Sequence, residues 1–266
     1  MTYIAYSNRI KQLFQDNQRP KLSPYITAGF PSKELTVPLM HQMVAAGATV
    51  IELGIPFSDP MAEGVTIQQA MEVALENGTT VSDVFEMVRQ FRQTDQQTAI
   101  VLMGYLNPIE IIGAEAFAKQ AGAAGVDGTI IVDLPPEEAA NYFPLWQANQ
   151  LDFILLCSPT TSPERMKLIC QLASGYVYYV SLKGVTGSKA LDVDYVQQCY
   201  QARKSYLADM PLLVGFGIKT ADDASQLAQF ADGIVIGAAL IETINKAQEP
   251  CQAVYEFLQP IARALS

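Results

Sequence analysis

The stretch "TVIELGIPFSDPMAEG", Thr49 to Gly64, runs from an apolar strand-like segment into an acidic loop framed by Pro56 and Pro60. Glu52 stands among Val50, Ile51, Leu53 and Ile55. Strand alternation puts Glu52 on the opposite face from Ile51 and Leu53. If those two pack outward against helices, Glu52 points into the interior of a closed sheet, near its mouth.

Seven further runs share this apolar character: "LSPYITAG", "TAIVLMG", "GTIIVDL", "DFILLC", "YVYYVS", "PLLVGFG" and "DGIVIG". Strands buried on both faces of a parallel sheet look like this. Between them lie helical patterns: "ELTVPLMHQMVAAG", "TIQQAMEVALENG", "TVSDVFEMVRQF", "AEAFAKQAGAAG", "EEAANYFPLWQANQ", "SPERMKLICQLA", "VDYVQQCYQARKSYL", "TADDASQLAQF" and "AALIETINKAQ". Ser162-Pro163-Glu164 signals a helix start, and Thr220 to Asp223 resembles a capping box. Gly78 and Gly125 mark helix ends.

Eight such runs alternating with helices over the 266 residues predict a (β/α)8 TIM barrel, an α/β fold spanning 1–266 as one domain. A doubly wound sheet would carry an early glycine-rich nucleotide turn, and "GFGIKT" comes late and lacks the further glycine. The segment "MTYIAYSNRIKQLFQDN" predicts an extra N-terminal helix closing the barrel floor.

The formal charge of −10 argues against nucleic acid or an anionic membrane as partner. Cys157, Cys170, Cys199 and Cys251 lack CxxC spacing and read as free thiols of a cytoplasmic protein. The N-terminus lacks the apolar core of a signal peptide. No run approaches the ~18 apolar residues that span a membrane.

Barrel chemistry gathers at the C-terminal strand ends. Gly184 and Gly187, Gly215 and Gly217, and Gly237 fall at the last three. Any one could serve only a tight turn; together they suggest backbone N–H groups cradling a phosphate, with a helix N-terminus after Gly237. Glu52 could be a satisfied core group. Facing the lumen, it would instead be raised towards neutrality and suited to acid/base work. Asp59 and Glu63 could be solvated loop acids, or one could stand across from Glu52 and divide that work. His41, the lone histidine, lies in a helical pattern far from any strand end and reads as a packing residue, so a several-histidine metal site is excluded. Lys183, Lys189 and Lys219 fall beside the glycine cluster, where charge neutralisation explains them better than Schiff-base chemistry.

Together these motifs resemble the tryptophan synthase α-subunit family: "ELGIPFSDPMAEG", "LMGYLNPI", "DLPPEE", "GVTG", "GFGI" and "IGAAL". The resemblance implies retro-aldol cleavage of indole-3-glycerol phosphate to indole and glyceraldehyde 3-phosphate, without a cofactor on this chain. It implies a pyridoxal-phosphate β subunit as partner in an α2β2 heterotetramer, to which indole passes. Glu52 would shuttle protons, Glu63 would accept the indole N–H, and Tyr178 would line the site. Tyr25, Met103, Tyr105, Ile130, Leu156 and Phe216 would form the substrate pocket. Gly187, Gly217, Gly237 and Ala238 would hold phosphate, and Thr186 would help close the sixth loop. Four residues depart from the family pattern: Glu63 for aspartate, Val65 for proline, Ala238 for serine and Phe30 for an acid. A stand-alone lyase and a non-catalytic partner of the β subunit are the competing readings.

Overall fold

The computed structural model describes residues 3–15, 20–181, 193–215 and 217–265. Eight parallel strands close into a barrel in chain order: β1 (Lys21–Thr27), β2 (Val50–Gly54), β3 (Ala99–Gly104), β4 (Gly128–Ile131), β5 (Asp152–Cys157), β6 (Val177–Val180), β7 (Leu212–Gly215) and β8 (Gly233–Ile236). Each pairs in parallel with its sequence neighbours, and β1 pairs with β8. The predicted TIM barrel is observed.

Alternation divides the strand residues between two cores. Leu22, Ile26, Ile51, Leu53, Ile100, Leu102, Val177, Tyr179, Leu212 and Val214 face the surrounding helices. Val50, Val101, Ile130, Ile154, Leu213 and Val235 fill the lumen. Glu52 lies between Ile51 and Leu53, in register with Tyr25 of β1 and Val101 of β3, and therefore projects inward.

The first helix, α1 (Asn8–Gln15), closes the floor as the N-terminal segment predicts, its Ile10 and Phe14 joining the lumen core. Asp152 accepts the backbone N–H of Tyr6 and Ser7, at 2.8 and 3.1 Å. Asp127 receives Arg9 at 3.0 Å and Arg92 at 2.7 Å.

The outer helices follow as α2 (Lys33–Ala45), α3 (Val65–Glu76), α4 (Val81–Arg92), α5 (Leu106–Ile112), α6 (Ala114–Ala124), α7 (Pro136–Ala139), α8 (Phe143–Ala148), α9 (Pro163–Leu172), α10 (Val193–Leu207), α11 (Ala221–Leu227), α12 (Ala238–Lys246) and α13 (Pro250–Ala264). The predicted signals work as stated: Ser162 caps α9, Thr220 and Asp223 form a capping box on α11, and α6 ends at Gly125. Three boundaries differ. "EEAANYFPLWQANQ" is two helices, because Pro144 lacks an N–H and belongs in the first turn of α8. The short α5, directly after β3, goes unpredicted. So does α13, whose Pro250 opens the helix and whose Pro260 interrupts its pattern, although it packs on α2, α11 and α12.

His41 stacks on Phe91 at 4.7 Å between ring centroids, the packing role expected of it. All four cysteines are free thiols. Among the described residues no helix is long and apolar enough to cross a membrane.

Candidate active site

The site forms where β2 hands over to the acidic loop. Glu52 is buried at 0 % exposure. It is not without partners, as a reading of the strand alone suggests. Its Oε1 accepts hydrogen bonds from Ser23 Oγ at 3.1 Å and Tyr176 Oη at 3.3 Å. Oε2 has no partner among the described residues. Burial raises the Glu52 carboxyl to about 8; the Ser23 and Tyr176 hydrogen bonds oppose the rise and the Glu63 charge adds to it.

The loop after β2 separates its two acids. Asp59 is exposed and takes a 2.5 Å hydrogen bond from Ser58. Glu63 is half-buried, and desolvation raises its carboxyl to about 7. Its charge also raises Glu52 and the Tyr25, Tyr105 and Tyr178 hydroxyls. Of the two loop acids, Glu63 is the one electrostatically coupled to Glu52, and Asp59 is exposed.

The loop is fastened from outside. Tyr105 Oη accepts the Ala62 N–H at 3.0 Å, and its ring stacks on Phe57 at 5.1 Å. Gln68 donates to the Glu63 carbonyl at 2.9 Å. Tyr105 thus anchors the loop, while its neighbour Leu106 is held by Asp133 at 2.8 Å. Val65 is the first residue of α3, a position where valine and proline both fit.

Tyr178, on β6, lays its ring over Gly215 of the neighbouring β7. Burial lifts its hydroxyl well above 10, and Glu52 is the charge that raises it most. A methyl group at Gly215 would strike the Tyr178 ring, and one at Gly54 would strike the Tyr25 ring, so both glycines make room for aromatic side chains. Met103, Ile130 and Leu156, on adjacent strands, complete an apolar wall beside these groups. Phe30 is buried in the outer core and borders a surface cavity of about 620 Å³ between α3 and α12.

Gly237 stands at the head of α12, beside Tyr25 and Ile67, and Ala238 opens the helix. Gly217 is exposed with φ +45°. The nine-residue α12 aims its free backbone N–H groups towards the end of β8, where an anion can be held. Thr186, Gly187 and Phe216 lie outside the described residues, as do Gly184, Lys183 and Lys189.

Ser23, Tyr176 and Gln68 go unnoticed in the sequence. Ser23 and Tyr176 each precede a predicted site tyrosine by two residues, so strand alternation carried a signal for both.

Comparison with known proteins agrees with this arrangement. The family model described as "Tryptophan synthase alpha chain" matches residues 11–264. A tryptophan synthase alpha chain of Legionella pneumophila (strain Lens) is 56% identical over 265 residues, covering 97% of each chain. One from Nitrosococcus oceani is 51% identical over 247 residues, covering 93% of this chain and 91% of that one. The crystal structure of tryptophan synthase subunit alpha from Legionella pneumophila str. Paris superimposes with a TM-score of 0.92 at 53% identity, covering 97% of this chain and 98% of the other. The chain belongs to the tryptophan synthase alpha chain family.

Proposed function

We propose that this chain cleaves indole-3-glycerol phosphate to indole and glyceraldehyde 3-phosphate, with Glu52 as the proton shuttle. The observation that carries the reading is a buried carboxyl at the barrel mouth with one oxygen unpartnered among the described residues. With its pKa near 8, Glu52 is mostly protonated at neutral pH. It gives its proton to indole C3. The cationic ring then draws the electrons of the C3–C1′ bond, so neither a metal nor a Schiff base is needed. As that bond breaks, the new carboxylate takes the proton of the C1′ hydroxyl, leaving an aldehyde. The proton count returns to its start.

Glu63, ionised, accepts the indole N–H and offsets the charge that grows on the ring. Tyr25, Met103, Ile130, Leu156 and Tyr178 enclose the heterocycle, together with Phe216. Tyr105 acts by holding the loop of Glu63. Gly217, Gly237, Ala238 and Gly187 hold the phosphate, and Thr186 closes the sixth loop. Ala238 lacks the hydroxyl of a serine but keeps its backbone N–H.

The reading places the protein in the cytoplasm, docked on a β subunit in an α2β2 assembly, with pyridoxal phosphate bound only by the partner. Its free thiols suit a reducing compartment. The test is indole release by the purified chain, with and without a β subunit, before and after Glu52→Gln. Loss of cleavage with retained β binding is expected. Fast turnover without the partner would favour a stand-alone lyase. Absence of cleavage in the unaltered chain would leave only a binding role.

A further inference from the structure

Ser23 lies on β1 two residues before Tyr25, in register with Val235 of β8. It is 0 % exposed in a lumen otherwise lined near it by Val50, Val101, Leu213 and Val235. A hydroxyl in so apolar a layer is costly unless it is hydrogen-bonded. Its bond goes to Glu52 Oε1 at 3.1 Å. Tyr176, also at 0 % exposure, donates to the same oxygen at 3.3 Å. Its ring is steadied by Phe14 of the floor helix, 6.0 Å away between centroids.

Two donors on one oxygen make the carboxyl asymmetric. With two hydroxyls donating to Oε1, a proton on Glu52 is favoured on Oε2. Oε2 has no partner among the described residues. We propose that Ser23 is a positioning residue that, with Tyr176, engages Oε1 of Glu52 and so makes Oε2 the oxygen that exchanges protons with the substrate. This rests on the proton-shuttle reading of Glu52. The two hydroxyls also restrain the carboxyl plane. A donor to the carboxylate favours the ionised form, which is the direction in which Ser23 acts here.

The experiment compares Ser23→Ala, Ser23→Thr and Glu52→Gln in the complex with a β subunit. Cleavage is measured against pH, and the Glu52 carboxyl is titrated in the free chain by infrared difference spectroscopy. The carbonyl band lost in Glu52→Gln identifies the residue. Ser23→Ala should lower kcat about tenfold, as expected for losing a hydrogen bond to a charged group, with KM changed by less than about twofold. It should also move the infrared midpoint and the falling limb of the pH profile upward. Ser23→Thr, which keeps the hydroxyl, should restore both. An unchanged kcat and midpoint in Ser23→Ala, with Glu52→Gln inactive, would overturn the role of Ser23 alone. Cleavage surviving in Glu52→Gln would overturn the shuttle itself, while the midpoint still tests the hold of Ser23 on Glu52. If the alanine variant does not fold, the near-isosteric weak donor in Ser23→Cys must show the same upward midpoint shift; no shift there overturns the proposal.

Discussion

Replacing Glu52 by Gln should abolish cleavage and at the same time stabilise the fold, by an amount that grows with pH. The carboxyl rises from 4.5 to about 8 on folding, chiefly because it is removed from water. At about 1.4 kcal/mol for each tenfold in acidity, ionising it inside the barrel costs about 5 kcal/mol more than in the unfolded chain. The folded state therefore binds this proton more tightly. The stability that the protonated group contributes is whole below about pH 4.5 and is lost as the pH climbs through about 8. Linkage makes the penalty about 1 kcal/mol at pH 5, about 3 kcal/mol at pH 7 and close to 5 kcal/mol above pH 9. Glutamine does not ionise, and its carbonyl oxygen can accept the hydroxyls of Ser23 and Tyr176. The difference between variant and parent should follow that curve. Urea unfolding at pH 5, 7 and 9 measures it, with circular dichroism and the fluorescence of Trp146 required to coincide. Trp146 is the single tryptophan and is buried. A stability difference that stays flat from pH 5 to pH 9 would refute the placement of this carboxyl in an apolar lumen.

The exchange Glu63→Asp should keep or raise kcat/KM, since the shorter acid is the family's usual residue; a folded variant without turnover would mean that Glu63 does not face the indole nitrogen. The profile of kcat/KM against pH should rise near 7, as Glu63 ionises, and fall near 8, as Glu52 loses its proton. These midpoints belong to the coupled pair. A rate constant across pH 6 to 9 would separate both acids from the chemistry. Ala238→Ser should lower KM by roughly twofold to tenfold, the worth of one added hydrogen bond, with kcat little changed; an unaltered KM would place the phosphate away from the head of α12.

The barrel is legible in the sequence because parallel strands buried on both faces leave unbroken apolar runs, and "TAIVLMG" and "DFILLC" are strands for that reason. Helix starts at Ser162 and Thr220 are legible because capping is local chemistry. The split of α7 from α8 is less so: Pro144 can end one helix or open another, and only packing decides. Within the candidate site, alternation suffices to aim Glu52 inward. It cannot name the partners, because Ser23 is 29 residues away in the chain and Tyr176 is 124. Nor can it choose between Asp59 and Glu63. That choice depends on how the loop is fastened, by Tyr105, 43 residues from Ala62, and by Gln68.

The two ends of the lumen show what separates a structural acid from a reactive one. At the floor, Asp127 meets two guanidinium groups, Arg9 and Arg92, together with the Ile100 N–H at 2.8 Å. Its charge is answered by cations, and the arrangement ties β4 to α1 and α4. At the mouth, the hydrogen bonds to Glu52 come from neutral hydroxyls, and the charge acting on it is the like charge of Glu63. A buried carboxylate with hydroxyl donors and, among the described residues, no cation beside it exchanges its proton near neutrality. An arginine introduced near Glu52 would lower its pKa. It would also remove the neutral acid that ring protonation requires. The apolar lining supplied by Val50, Val101, Ile130 and Leu213 therefore serves the chemistry as well as the packing, because it keeps that proton on Glu52 until the ring takes it.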